Sequence, residues 1–486
     1  MRKQPSLLKV ITDQEVELIH DCSLNILNQI GVYLPHDAIL DSLNSLGASV
    51  QFDKKIVRFP PELVQKALTA LPKDFSVKPA DAGPTIHFGD GELKLSFDQT
   101  PFIVDYMSGT KSRKNTDEIY KGIAVSNALE NVRLAGGFCL PQDIPDKAGD
   151  VKSFELLWSY SNKPAASWIY SAQAAQVILK MAEVVADGAE NVKKRKLVTY
   201  FAEPISPLRW SPHTLHIMTL LAEYECPIYL GPMVTAGGSG PCTLAGTLAL
   251  HNAEILQGLV VIYALNPHQP VIYSSHAHRL DMHRGTILYG SPEQALLAVG
   301  ATQLAHKYGL IISGNVMLTD SNTPDYMAGF EAGATAAYAL AAGWEMLGFC
   351  GFGTIGVCGS GVGLSLEHAI IQDEALSYLK RMISSFSVNE DTLAFEVIKD
   401  VGIGGVFIDR EHTARHVRSE LWQDGGIFKA VHFDEWQKCG RPTALDHAND
   451  KLKIILQDAL PLEPVLPDDK VKELKAMSDN YLASMA

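Results

Sequence analysis

The chain has 486 residues, of which 47% are apolar and 20% charged, with 41 Lys plus Arg against 55 Asp plus Glu and a net charge of −14. This composition excludes a disordered chain, and the acidic balance argues against general nucleic-acid binding, which needs a basic surface. Seven Cys, at 22, 139, 226, 242, 350, 358 and 439, form no CxxC pair, so neither a disulfide framework nor a zinc ribbon is expected.

The N-terminal residues hold no long apolar core, so no secretory signal is expected, and the reading is a cytoplasmic protein with no membrane partner. Thr12 to Glu15 fits a capping box. Val16, Ile19, Ser23, Ile26, Leu27 and Ile30 then share one helical face that Gly31 ends. Further helices are expected near 38–46 and 61–70, with short strands at 56–59, 85–88 and 93–97. The loop 98–113 is rich in turn residues and carries Phe102 and Tyr106. Residues 1–120 therefore read as a helical cap with a small sheet.

A repeating pattern follows. Strands are expected at 132–138, 165–170, 197–202, 227–233, 271–275, 310–314 and 346–350, with 404–408 as an eighth, and helical patterns lie between most of them. Ser291, Pro292 and Gly309 punctuate one of these helices as N-cap, first turn and C-terminal stop. Strand and helix in alternation over 121–420 fit a (β/α)8 TIM barrel with insertions, and an open doubly wound sheet is the competing architecture. Residues 421–486 read as a C-terminal helical tail packed on the barrel, with 471–485 its clearest helix.

Several motifs bear on chemistry. Gly351 to Gly356 matches GxGxxG after a strand, with Asp373 further on, which is a dinucleotide fingerprint on paper. The residues that follow, VCGSGVG, are too glycine-rich to open a helix, so a loop closing one side of the barrel mouth is the preferred reading. The run AGGSGPCTLAG at 236–246 precedes a helix starting near Thr243. Either its N–H groups hold an anion, or its glycines allow a tight turn. His276, His278 and His283 would form a zinc site only with Cys350 or Cys358 brought near. Their spacing matches no zinc pattern, so hydrogen bonding is the other reading and no metal is expected. Aromatic residues recur at strand ends: Phe138, Trp168, Tyr170, Phe201, Trp210, Tyr229, Tyr273, Phe349 and Phe352. Several must be core, because strands alternate faces. Those lining a barrel mouth would suit a quaternary ammonium ion through cation–π attraction.

These segments resemble the trimethylamine methyltransferase family, among its members that lack pyrrolysine. The resemblance runs through RFPPELVQKAL at 58–68, GPMVTAGGSGPCTLAGTLALHNAE at 231–254, YGSPEQALLAVGATQLAHKYGL at 289–310, TDSNTPDYMAGFEA at 319–332 and FIDREHTARHVRSELW at 407–422. It implies a (β/α)8 barrel that moves a methyl group from a methylated amine to the cobalt of a separate corrinoid protein. The trimethylamine enzymes carry pyrrolysine near the loop that here reads TDSNTPD, where every position is an ordinary residue. A quaternary donor is therefore expected, glycine betaine first, because Co(I) can displace a neutral tertiary amine without help from an acid. On this reading Trp168, Tyr170, Phe201, Tyr229 and Phe349, with Phe102 from the cap, cradle the trimethylammonium group. Glu203 adds negative charge. His276, His278 or Arg279 meet the carboxylate, with Arg209 in reserve, and Asn315 and Asp320 shape the methyl-transfer end. The corrinoid (cobalamin) would arrive on its cognate protein over the barrel mouth, with no tightly bound cofactor in this chain, and a homo-oligomer is expected. Two other readings are a zinc-dependent corrinoid methyltransferase for a methanol- or thiol-type donor, and a non-catalytic betaine-binding protein.

Overall fold

Thr12 opens the first helix, Asp13–Asn25, as its pattern predicts: its side chain accepts from Glu15 N, and the Glu15 carboxylate accepts from Thr12 N at 2.7 Å. The predicted face then slips. A π turn at Ile26–Ile30 adds a residue before Gly31 at φ 86°, so Leu27 is buried while Ile30 is 59% exposed. The structure is a computed structural model describing residues 7–81, 83–97, 99–347, 355–361 and 363–485. Helices Asp37–Ser45 and Pro61–Ala70 and an antiparallel sheet of Val32–Tyr33, Ile56–Arg58 and Ser49–Gln51 complete the N-terminal layer.

The fold beyond it is mixed α/β, built on parallel strands in chain order. Lys94–Ser96 pairs with Val132–Leu134, and Ala135 bridges Ala165. Tyr200–Ala202, Ile228–Leu230, Val271–Ser275 and Ile312–Gly314 form one parallel sheet in that sequence. Met346–Leu347 then pairs in parallel with Lys94–Ser96, so the last strand lies beside the first.

This corrects two expectations, the first being 165–170, which forms only an isolated bridge at Ala165 and no strand. Residues 404–408 form turns, not a strand, and Val406 and Ile408 are exposed at 59% and 87%. The remaining parallel strand is Lys94–Ser96, inside the stretch read as cap. Two of its three residues are polar yet buried, and the Lys94 ammonium is bound by Asp90 and the Glu92 carbonyl.

Two main apolar cores result, beside a small cluster of Tyr289, Leu318 and Val357. One lies outside the strands, under the helices. The other lies inside and is lined by Leu134, Ala166, Phe201, Tyr229, Ile272 and Ile311 from six successive segments. The antiparallel hairpin of Phe75–Val77 and Ile86–Phe88 closes its lower end. At the other end, the hairpin Ile103–Asp105/Thr110–Ser112 shares a sheet with Gly363–Leu364 and Val357–Cys358, joining the loops after the first and last strands. Asp373 is buried and accepts from Asn131 N at 3.1 Å, at the N-terminal end of a strand and away from that loop. Gly351 to Thr354 lie outside the described residues.

Helix Leu244–Leu265 is long and apolar enough to cross a membrane, but 83% of its most apolar window is buried here, against helices Asp13–Asn25 and Pro61–Ala70 among others. C-terminal helix Ala444–Ala459 packs on Asp117–Ala128 and Leu366–Ile383, and Asp468–Ala483 packs on Gly149–Tyr160 and Ala172–Ala186.

Candidate functional site

The inward-facing residues change character along the strands. Phe201, Tyr229 and Ile272 stand in register at the apolar level. Phe88 of the closing hairpin meets Tyr229 edge-on at 6.5 Å, so Tyr229 belongs to the floor. Two residues further along come Glu203, Gly231 and Ser274, because strand side chains alternate. Ser274 is aligned with Ser313, and their hydroxyls are 2.8 Å apart.

Gly231 sets the shape of this level. A Cβ there would lie 2.2 Å from the Phe201 ring and 2.8 Å from His276. Its absence lets Phe201 lean over the floor. The Phe201 ring lies 4.8 Å from His276 and 5.8 Å from Trp168, which is nearly perpendicular to it, and Trp168 runs parallel to Tyr170 at 6.3 Å. Four rings thus stand in series. A cleft of about 430 Å³ opens beside them, lined by Trp168, Tyr170, Phe201, Glu203, Ser211 and His213 among others. Tyr170 is held from two sides: its hydroxyl donates to Gln99 at 2.9 Å, and its N–H to Asp150 at 2.7 Å. Burial pushes the Asp150 carboxyl up to about 6.

Glu203 is partly open to the cleft. Burial and, secondly, the charge of Glu254 push its carboxyl up to about 7. Glu254, also raised to about 7 by burial, accepts from Ser206 Oγ and Leu208 N, each at 2.6 Å.

The predicted basic partners differ from expectation. His276 and His278 are buried, and burial lowers both, His276 well below the usual range and His278 to about 4. Both are neutral, so neither offers a positive charge. His276 Nε2 shares a hydrogen bond with Ser274 Oγ at 3.0 Å. Asn315 Nδ2 donates to His278 Nε2 at 2.7 Å, which puts the ring proton of His278 on Nδ1, and Tyr289 packs on that ring at 4.5 Å. Arg279 is ion-paired with Glu293 at 3.3 Å on an outer strand.

Asp320 is a brace: its carboxylate accepts from Tyr289 N, Gly290 N and Ser360 Oγ, tying three loops together. Phe102 carries Lys111 Nζ over its ring at 4.8 Å. Phe138, Trp210 and Tyr273 are core. Phe349, Cys350 and Phe352 lie outside the described residues. His283 is exposed on a turn, apart from the buried His276 and His278. Among the described residues, one trio brings His, Cys or carboxylate atoms within 4.8 Å of one another: Asp391, His412 and His416, on a separate surface segment. There the Arg415 guanidinium already lies 3.3 Å from the Asp391 carboxylate.

The run 236–246 contains the turn it suggests. Thr235–Ala236 pairs with the His278 strand, Gly237 adopts φ 81°, and helix Leu244–Leu265 follows. Gly231, Ser274, Ser313, Gln99 and Tyr289 were not singled out from sequence. The Ser pair had a signal, since YSSH and ISGN both end an apolar run in small polar residues. A second cleft, about 670 Å³, lies at the N-terminal ends of the strands and is lined by Glu130, Arg133, Trp344 and Lys380 among others; it contains none of the predicted site residues.

The chain matches the family described as trimethylamine methyltransferase over residues 1–486. It is 29% identical over 435 residues to the glycine betaine methyltransferase of Desulfitobacterium hafniense strain Y51, covering 88% of each chain. It is 26% identical to trimethylamine methyltransferase MttB of Desulfitobacterium hafniense strain DSM 10664 / DCB-2, over 96% of this chain and 92% of that one. The crystal structure of the Methanosarcina barkeri monomethylamine methyltransferase superposes with a TM-score of 0.46 at 12% identity, covering 91% of this chain and 92% of that one.

Proposed function

Because the chain belongs to the trimethylamine methyltransferase family and is a methyltransferase, we propose that it moves a methyl group from a quaternary amine, glycine betaine first, to the reduced cobalt of a corrinoid on a separate protein. The observation that carries this reading is the ring series Trp168, Tyr170 and Phe201 standing beside Glu203 in one cleft, with His276 packed against Phe201. A tetraalkylammonium ion has no N–H to donate. Electron-rich ring faces attract it without a hydrogen bond, and a neutral His276 does not repel it. Glu203, when ionised, adds a negative charge at the same wall.

The chemistry asks little else of the chain. As the cobalt electron pair forms a bond to the methyl carbon, the C–N bond breaks and its pair stays on nitrogen. The dimethylated amine leaves neutral, so no general acid is needed. The protein's part is to orient the donor and keep water away. The ordinary residues of TDSNTPD fit a donor that needs no further activation. Without a cation at His276 or His278, the donor's carboxylate is assigned to the first turn of helix Pro212–Ala222. There Ser211, His213 and Thr214 line the cleft; Pro212 has no N–H and His213 N donates to Ser211 Oγ, which leaves the Thr214 N–H of that turn to meet the carboxylate.

The same reading closes the parallel strands into a (β/α)8 barrel over 121–420, with Lys94–Ser96 supplied from the cap of 1–120 and with 421–486 as the helical tail. The enzyme is cytoplasmic, and the corrinoid protein docks over the mouth. The test is one assay: Co(I) corrinoid with a panel of quaternary and tertiary amines, following conversion to methyl-Co(III). Quaternary donors should react. Trp168→Ala and Phe201→Ala should each raise KM about 2- to 30-fold, the range expected for roughly 0.5–2 kcal/mol of cation–π attraction. Turnover of trimethylamine alone, or about one zinc per chain with activity lost on chelation, would replace this reading.

A further inference from the structure

After helix Leu366–Ile383, the chain leaves the body of the molecule and returns near Leu421. Its base is closed: the Arg381 guanidinium donates twice to the Glu420 carbonyl, and Trp422 donates to Ser377 and packs on Tyr378. Between these points lie three short helices, Glu390–Leu393, Phe395–Val401 and Glu411–Glu420, and none buries a residue. Polar braces hold them to one another: Arg410 to Asp400, and Arg415, His416 and His412 around Asp391.

This protrusion is apolar outside, not inside. Phe386 and Phe395 are 69% and 67% exposed, Ile408 is 87% exposed, and Ile403 is fully exposed at a tip between Gly402 and Gly404. An aromatic side chain buries roughly 150–250 Å² when covered. With Val388, Leu393, Ile398 and Val406 also open, the apolar area is on the order of the ~800 Å² that each side of a stable interface needs. A segment with no core of its own has nothing within the chain to offset the entropy of its ordering. Its cover must come from outside.

A second apolar face lies on helix Tyr326–Ala341, which packs beside Leu366–Ile383. Tyr326, Phe330 and Tyr338 share one side of it and are 85%, 63% and 38% exposed. Its one charged residue, Glu331, turns inward to Thr319 Oγ1 and Asp320 N.

We propose that the segment Ser384–Leu421 is the arm of a symmetric homodimer, covered by a second copy of this chain, with the outer face of helix Tyr326–Ala341 belonging to the same contact. Both uncovered faces occur once on every copy, as a self-complementary two-fold contact requires. Three of the arm's four basic residues are already paired within it, Lys399 with Glu396, Arg410 with Asp400 and Arg415 with Asp391, so recognition is apolar and not directed at a strongly charged partner. A methyl-acceptor protein must dock and leave at each turnover, whereas an arm without a core needs permanent cover.

Light scattering or sedimentation of the purified full chain should give an even multiple of 52.9 kDa at micromolar concentration. Ile403→Asp and Phe395→Asp change side chains that the subunit does not pack, so each should halve the mass with an unchanged circular dichroism spectrum. Hydrogen exchange of the wild-type protein needs no variant: amides of 390–420 should be protected at micromolar concentration and lose protection on dilution. A wild-type mass of 52.9 kDa, an arm unprotected at every concentration, or a dimer that both substitutions leave intact would overturn the proposal. So would an arm protected only when the corrinoid protein is added.

Discussion

Glu203 carries the sharpest expectation among single residues. Its carboxyl, raised to about 7 by burial and by Glu254, changes charge within the working pH range. The ionised form attracts a permanent cation and the protonated form does not. KM for a quaternary amine should therefore fall as pH rises from 6 to 8, by roughly tenfold if ionisation contributes about 1.4 kcal/mol. Glu203→Gln should flatten that profile. It should not lower the melting temperature at pH 8. An acid with a raised folded pKa binds its proton more tightly when folded, so it costs stability as pH climbs from about 4.5 through 7. A variant with lower thermal stability and an unchanged pH profile would assign Glu203 to the fold. Asn315→Ala tests the neighbouring network: it removes the donor that fixes the His278 proton on Nδ1, and should lower kcat more than it raises KM. At this scale the sequence was informative about residue type and silent about charge. Trp168, Phe201 and His276 were legible as strand-end residues. That His276 and His278 are neutral depends on burial, which no spacing reveals.

The elements tell a similar story about what an apolar run means. The stretch 404–408 reads as a strand because it is apolar and flanked by glycine, yet no neighbour in the chain covers it. Lys94–Ser96 reads as a minor piece of the cap because two of its three residues are polar, yet it joins the last strand to the second. Its polar side chains sit at buried positions, Lys94 with local partners in Asp90 and the Glu92 carbonyl, and a hydrophobicity pattern cannot register that. The hairpin Phe75–Val77/Ile86–Phe88 has the converse role, its rings closing the floor beneath Tyr229. Phe88→Ala should cost about 3–5 kcal/mol in urea unfolding. Because the floor lies a level below the ring series, KM should move far less than it does in Trp168→Ala. A large KM change with little loss of stability would place the substrate deeper than the ring series suggests.

Across the whole molecule, the contact between the first and last strands is short: Met346 opposite Lys94 and Leu347 opposite Leu95. Helix Ala444–Ala459 spans the outside of that join. It packs on Asp117–Ala128, which follows the hairpin Ile103–Asp105/Thr110–Ser112, and on Leu366–Ile383, which follows the last strand. Ala448 and Leu452 are the residues it buries. The final helix, Asp468–Ala483, instead presses Leu474 and Tyr481 against Gly149–Tyr160 and Ala172–Ala186, further round. The two tail helices thus support different parts of one strand order. Leu452→Ala and Leu474→Ala should each cost about 2–4 kcal/mol, and native-state hydrogen exchange should separate them. The first should raise exchange soonest at Lys94–Ser96 and Met346–Leu347, and the second around Val132–Leu134, with Ile228–Leu230 protected longest in both. Identical exchange patterns would mean that the tail stabilises the molecule as one unit and that the join has no weakness of its own.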